Sequence, residues 1–167
     1  EEPDSEASSN LWFEKGLIHT AAREYEEALH AHDKAIAITP DYHSAWIFRG
    51  ITLFNLGRYE EVISAFDQAI NINPNDQIAI WYFQSNALFN LERYEEAISF
   101  YDKALAINPN DQITWNQRGV ALFSLRRYEE AIYSYDKALA INPDDEIIWN
   151  KRGVALFNIG RYKEASA

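Results

Sequence analysis

Acids, arginines and histidines recur along this chain at fixed intervals, and the intervals decide which chemistry they can do. Glu60-Glu61, Glu95-Glu96 and Glu129-Glu130 are paired acids of the type that general acid–base catalysis uses. A catalytic dyad needs one unique environment that drives two pKa values apart, and a pair that recurs unit after unit has none. Placed at the start of amphipathic stretches, these carboxylates suit the positive end of a helix dipole instead. His19, His30 and His32 could in principle meet at a metal. His30 and His32 are two apart, however, and point to different sides of a helix, with no Cys and no His-x-x-x-His spacing beside them. No Ser/His pair and no Gly-rich phosphate loop is present. The chain reads as no enzyme, with no metal and no cofactor.

A second set of charges has structural chemistry. Lys15, Arg49, Gln84, Arg118 and Arg152 form one column, and Asp33, Asp67, Asp102 and Asp136 form another. A cation near a seam between helices wants an anion, so a recurrent, partly buried Arg–Asp pair is expected. The alternative is a guanidinium that snorkels to water.

The elements that position these residues are repeats. Trp12, Trp46, Trp81, Trp115 and Trp149 are spaced 34, 35, 34 and 34 residues apart, which marks a repeat architecture. Four residues after each Trp stands Gly16, Gly50, Ser85, Gly119 or Gly153, and thirteen after it Tyr25, Tyr59, Tyr94, Tyr128 or Tyr162. Pro40, Pro74, Pro109 and Pro143 close the units. Within a unit the apolar period is helical twice over, as in Trp115, Gly119 and Leu122, then Ala131, Tyr135 and Ala138. Small residues in this set let two helices approach closely. Gly57 and Gly160 suit a left-handed helix end, and the Asn-Pro-Asn/Asp-Asp segments suit a stop, a turn and an N-cap for the next helix.

The unit resembles the tetratricopeptide repeat (TPR) family, with its W…L-G…Y…A…F…A…P pattern, over residues 9–167. The resemblance implies an all-α, right-handed solenoid of antiparallel helix pairs, the first helix of each pair lining a concave groove that binds peptides or partner helices. Units are expected at about 9–42, 43–76, 77–111, 112–145 and 146–167, the last partial, behind a flexible acidic tail over residues 1–8. The extra residue before Trp81 is expected to make its helix start differently. The absence of Met, even at position 1, and the partial fifth unit are expected of an excised piece whose open edge continues or packs on another copy.

The same resemblance places a groove on one face of the first helices. Its residues are Ile47, Ile51, Phe54 and Asn55; Tyr82, Asn86, Phe89 and Asn90; Asn116, Val120 and Phe123; and Asn150, Val154 and Phe157. Phe rings supply burial and Asn amides can bond a peptide backbone, while the face carries almost no charge. The Phe stripe can equally pack against the adjacent helix. The Lys and Arg with which the chaperone-binding branch of the family grips an acidic C-terminus are missing at the matching positions. The expected ligand is therefore an apolar or amphipathic peptide or helix, bound by a scaffold or regulatory protein. End-to-end self-association through the terminal repeat is the alternative.

Composition narrows the partners further. With 15 basic and 26 acidic residues the net charge is −11, a poor match for nucleic acid. No apolar run is long enough for membrane insertion and no signal-peptide pattern opens the chain, so a cytoplasmic setting is expected.

Overall fold

The computed structural model describes residues 5–75 and 77–165. Among these, ten helices and no strand occur. The chain divides between Leu91 and Glu92 into two compact units. The first holds α1 (Ser5–Ala21), α2 (Tyr25–Ile38), α3 (His43–Asn55), α4 (Tyr59–Ile72) and α5 (Gln77–Asn90). The second holds α6 (Tyr94–Ile107), α7 (Gln112–Ser124), α8 (Tyr128–Ile141), α9 (Glu146–Asn158) and α10 (Tyr162–Ala165). Within each unit, successive helices pack on one another.

The local sequence explains where these helices begin and end. Asp111 and Asp145 are N-caps: each carboxylate accepts from the amides two and three residues on, Ile113 and Thr114, and Ile147 and Ile148. At the other end of the first helices, Arg23, Gly57, Glu92, Arg126 and Gly160 all take positive φ, between 58° and 77°. Around Arg126 the bonds Arg127 N–H to Leu122 C=O and Arg126 N–H to Phe123 C=O complete a Schellman motif. The left-handed corner is thus a property of the repeat, whether or not glycine occupies it.

Two expectations are revised. Helix α1 already runs from Ser5, so residues 5–8 are helical and not a tail; Glu6 in the first turn complements the dipole. Residues 1–4 of the expected tail lie outside the described residues. The helix of the third repeat starts no differently from its sisters: Gln77 follows Pro74 by the same step as Gln112 follows Pro109. The extra residue lengthens α5 to 14 residues, against 13 in α3, α7 and α9.

The two helices of a pair meet ring on glycine. A Cβ on Gly50 would lie 2.8 Å from the Phe66 ring, and one on Gly119 2.5 Å from Tyr135. In the first repeat the ring is that of His32, fully buried against Gly16 beside Phe13 and Phe48. The core of the first unit is Leu53, Val62, Ala65, Phe66, Ala69 and Ile80, with Trp46 and Phe83 packed on it.

Between repeats, the expected charge pair forms. Arg49 donates to Asp33 at 2.6 Å, Arg118 to Asp102 at 2.7 Å and Arg152 to Asp136 at 2.5 Å. Each pair ties a first helix to the second helix of the repeat before it. Gln84, in the same column, donates to Asp67 at 2.7 Å, so the seam keeps its bond without the charge. Each of the three guanidinium groups also lies over the Trp ring of its own helix, 5.6–5.8 Å from the centroid.

Candidate protein-interaction face

The face expected to bind a partner is built separately in each unit. In the first, Ile47 and Ile51 of α3 line a pocket of about 350 Å³ with Phe66, Asn75, Ala79, Ile80 and Phe83. In the second, Val120 and Phe123 of α7 and Asn150 and Val154 of α9 line a pocket of about 350 Å³ with Tyr135, Ile147 and Lys151. The two pockets are repeat equivalents. Each lies between consecutive first helices, with the aromatic ring of the intervening second helix, Phe66 or Tyr135, at its wall.

The Phe stripe is largely engaged. Phe54 packs edge-on to Tyr59 and Phe83, each at 5.6 Å. Phe123 meets Tyr128 and Phe157 meets Tyr162, both at 5.1 Å and steeply inclined. Phe89 is half-buried and Tyr82 exposed. The most open apolar surface is on α9, where Ile147 is 68%, Val154 52% and Phe157 63% exposed.

The amides behave differently from the sequence expectation. Asn55, Asn86, Asn90 and Asn158 each donate from Nδ2 to the carbonyl four residues earlier, at 2.8 Å. One N–H of each amide is therefore bonded to its own helix, and the second N–H and the Oδ1 acceptor remain for a ligand. Asn150 is exposed, and Asn116 accepts from Lys151 Nζ at 2.9 Å.

Lys151 corrects the expectation of a nearly uncharged face. Its ammonium stands in the second unit's pocket, where burial pushes its pKa down, partly offset by Asp145. Asp145 in turn accepts from Gln112 at 2.7 Å. The residues two beyond each Trp are Glu14, Phe48, Phe83, Gln117 and Lys151, a column with a single cation. That was the available signal. Phe66, Asn75, Ile80, Phe83 and Tyr135 also line the pockets, outside the groove assignment.

Charge at the corners is neutralised locally. Arg58, Arg93 and Arg127 each chelate the Glu three residues on, at 2.6–2.8 Å, and Arg161 pairs with Glu164. These bonds hold the carboxyls of Glu61, Glu96, Glu130 and Glu164 below the ordinary range. The paired acids at each second helix are thus an N-terminal brace. Among the described residues no three His, Asp or Glu lie close enough to hold a metal, and no helix is long and apolar enough to cross a membrane.

Models of the tetratricopeptide repeat match residues 43–76, 78–111 and 100–133, and a TPR repeat model matches residues 119–160. The chain belongs to the tetratricopeptide repeat family. Several solved structures share the fold. MamA (residues 41 to the end) from Desulfovibrio magneticus RS-1 is 20% identical, with a TM-score of 0.88 over 99% of this chain and 92% of that one. MamA from MSR-1 is 22% identical, with a TM-score of 0.81 over 95% of this chain and 90% of that one. YrrB, described as a TPR protein with an unusual peptide-binding site, is 20% identical, with a TM-score of 0.79 over 92% of this chain and 78% of that one. No curated protein matches the chain significantly. At these identities the likeness is one of fold: an all-α TPR solenoid, an architecture of interaction scaffolds that are typically non-enzymatic.

Proposed function

We propose that this TPR chain is a protein-interaction module that takes an apolar or amphipathic peptide segment on its first-helix face, within a larger scaffold or regulatory protein. One observation carries the reading: the pocket of Val120, Phe123, Ile147 and Val154, walled by Tyr135 and bearing the Lys151 ammonium. Each well-buried aliphatic side chain contributes roughly 1.5–3 kcal/mol, so two or three anchors offset the cost of ordering a short segment. Lys151 and the free Asn oxygens fix the segment's direction through its backbone carbonyls and amides. The proposal includes the cytoplasmic setting expected from the sequence.

The test is fluorescence anisotropy with labelled synthetic helices, one series amphipathic and one an acidic C-terminal tail, against the native chain and the I147S/V154S double variant. Both replaced residues are exposed, so helicity by circular dichroism should be unchanged. Amphipathic peptides should bind, and the variant should lose at least tenfold. Undiminished binding moves the site off this face, and binding of the acidic tail alone overturns the apolar reading.

A second reading, assembly of copies through α9, draws on the same exposed residues. It requires a mass by light scattering that grows with concentration, and a constant monomer mass excludes it.

A further inference from the structure

The two first-helix pockets differ in the pair of residues behind them. In the first unit that pair is Phe66 and Phe83, stacked with centroids 5.6 Å apart and planes 18° from parallel. In the second unit the equivalent positions hold Tyr135 and Lys151. Two rings have become a phenol and an ammonium, in a pocket whose other walls are apolar except for Asn150. The helices around it, α7, α8 and α9, all have both ends within the described residues. Neither polar group is satisfied by its neighbours. Tyr135 is 1% exposed, and its hydroxyl makes no hydrogen bond among the described residues. Burial pushes its pKa up, so it stays a donor. Lys151 gives one of its three N–H donors to the Asn116 oxygen and pairs with no carboxylate among the described residues. Asp145, the acid that pulls on it, is committed elsewhere. Its Oδ1 accepts from the Ile147 and Ile148 amides and its Oδ2 from Gln112.

We propose that Lys151, with Tyr135, makes the second unit's pocket selective for a carboxylate side chain, so that its occupant is a partner's amphipathic segment with Glu or Asp between two apolar residues. The inference rests on the first-helix face being the binding surface, and it adds what this pocket selects. A cation drawn into an apolar pocket costs desolvation that a neutral amide oxygen offsets only in part. A ligand that brings an anion makes the pairing that the chain leaves unmade. Ile147, Lys151 and Val154 follow one another along one face of α9, four and three residues apart. An acid between apolar residues matches that order, and the Tyr135 O–H is a second donor for the same carboxylate. The selected group is a side chain within the segment, not a chain terminus. The first unit's pocket, with its two rings and no charged side chain, has no such preference.

The probes are two fluorescently labelled amphipathic helical peptides, identical except for a single Glu or Gln set between two Leu on one face. Both are acetylated and amidated, so the Glu side chain is the one carboxylate that distinguishes them. In anisotropy titrations the native chain should bind the Glu peptide at least about fivefold more tightly. Lys151→Met should erase that preference and leave the Gln peptide's affinity nearly unchanged. Lys151→Phe, which installs the ring found at Phe83, should erase it too, and it keeps the pocket filled should the Met variant lose helicity by circular dichroism. Tyr135→Phe should reduce the preference without weakening the Gln peptide. Equal binding of the two peptides, or a preference that survives the Lys151 or the Tyr135 replacements, would overturn the proposal while leaving the interaction face standing. Binding of neither peptide would remove both.

Discussion

Arg118 Nε donates to Asp102 Oδ1 at 2.7 Å across a gap of 16 residues, joining the first helix of one repeat to the second helix of the one before. The guanidinium also donates to Ser134 and covers Trp115. Its side chain is 16% exposed and that of Asp102 53%, so the two partners are not equivalent. Arg118→Leu should cost about 1–2 kcal/mol in urea denaturation and lower the m value, because one group serves three contacts. Asp102→Asn should cost less than about 1 kcal/mol, as half-exposed ion pairs do. An unchanged midpoint and slope for Arg118→Leu would reduce the guanidinium to a cover for Trp115.

One glycine column should give opposite signs at two positions. Gly119→Ala drives a Cβ to 2.5 Å from the Tyr135 ring and should destabilise by about 1–3 kcal/mol. Gly153→Ala meets only the Ala165 carbonyl, at an ordinary 3.5 Å, and should stabilise by up to ~1 kcal/mol through helix propensity. Thermal melts of the two single variants decide the matter.

The corner residue Arg126 holds φ at 60° with a side chain that gains nothing from it. Arg126→Gly should therefore stabilise by about 1 kcal/mol, and Gly57→Ala, at φ 72°, should destabilise by a similar amount. Chemical denaturation of both variants measures the pair, and equal effects of one sign would contradict it.

His32 makes stability depend on pH. Burial lowers its pKa from 6.5 to about 4, against the opposing pull of Asp33, and neither ring nitrogen has a hydrogen-bond partner. The folded state thus binds the proton more weakly than the unfolded chain. The contribution of neutral His32 is complete above pH 6.5 and is lost as pH falls toward about 4. The loss should be on the order of 2–3 kcal/mol. His32→Phe, which installs the ring found at Phe66, should remove most of that dependence between pH 6.5 and 4, as read from melting temperatures across the interval.

Much of this architecture was legible because each repeat states its own rule several times. Trp spacing located the helix pairs, and the small residues at Gly119, Ala131 and Ala138 announced that paired helices approach closely. The Arg and Asp columns announced the seam. Three features were hidden for physical reasons. Arg23, Glu92 and Arg126 are not residues that favour a left-handed corner, so only the surrounding hydrogen bonds reveal that they adopt one. An Asn on a helix can bond outward or back to its own carbonyls, and sequence does not choose between them; Asn55 and Asn86 choose the latter. Lys151 enters the pocket because a flexible stem reaches Asn116, a contact 35 residues away in sequence.

The longer α5 shows where the array keeps time. Trp46, Trp115 and Trp149 each donate their indole N–H to the carbonyl of the proline six residues before. From Pro74 to Trp81 the interval is seven. One added residue turns a helix by about 100°, enough to scramble a face if it spread along the whole element. Yet Gln84 still reaches Asp67, and the step from Trp81 to the helix end matches that of the other repeats. The phase of each unit is therefore set by its tryptophan, and the head of the helix upstream of it serves as slack. A TPR built this way can absorb insertions at the heads of its first helices without disturbing any seam below them.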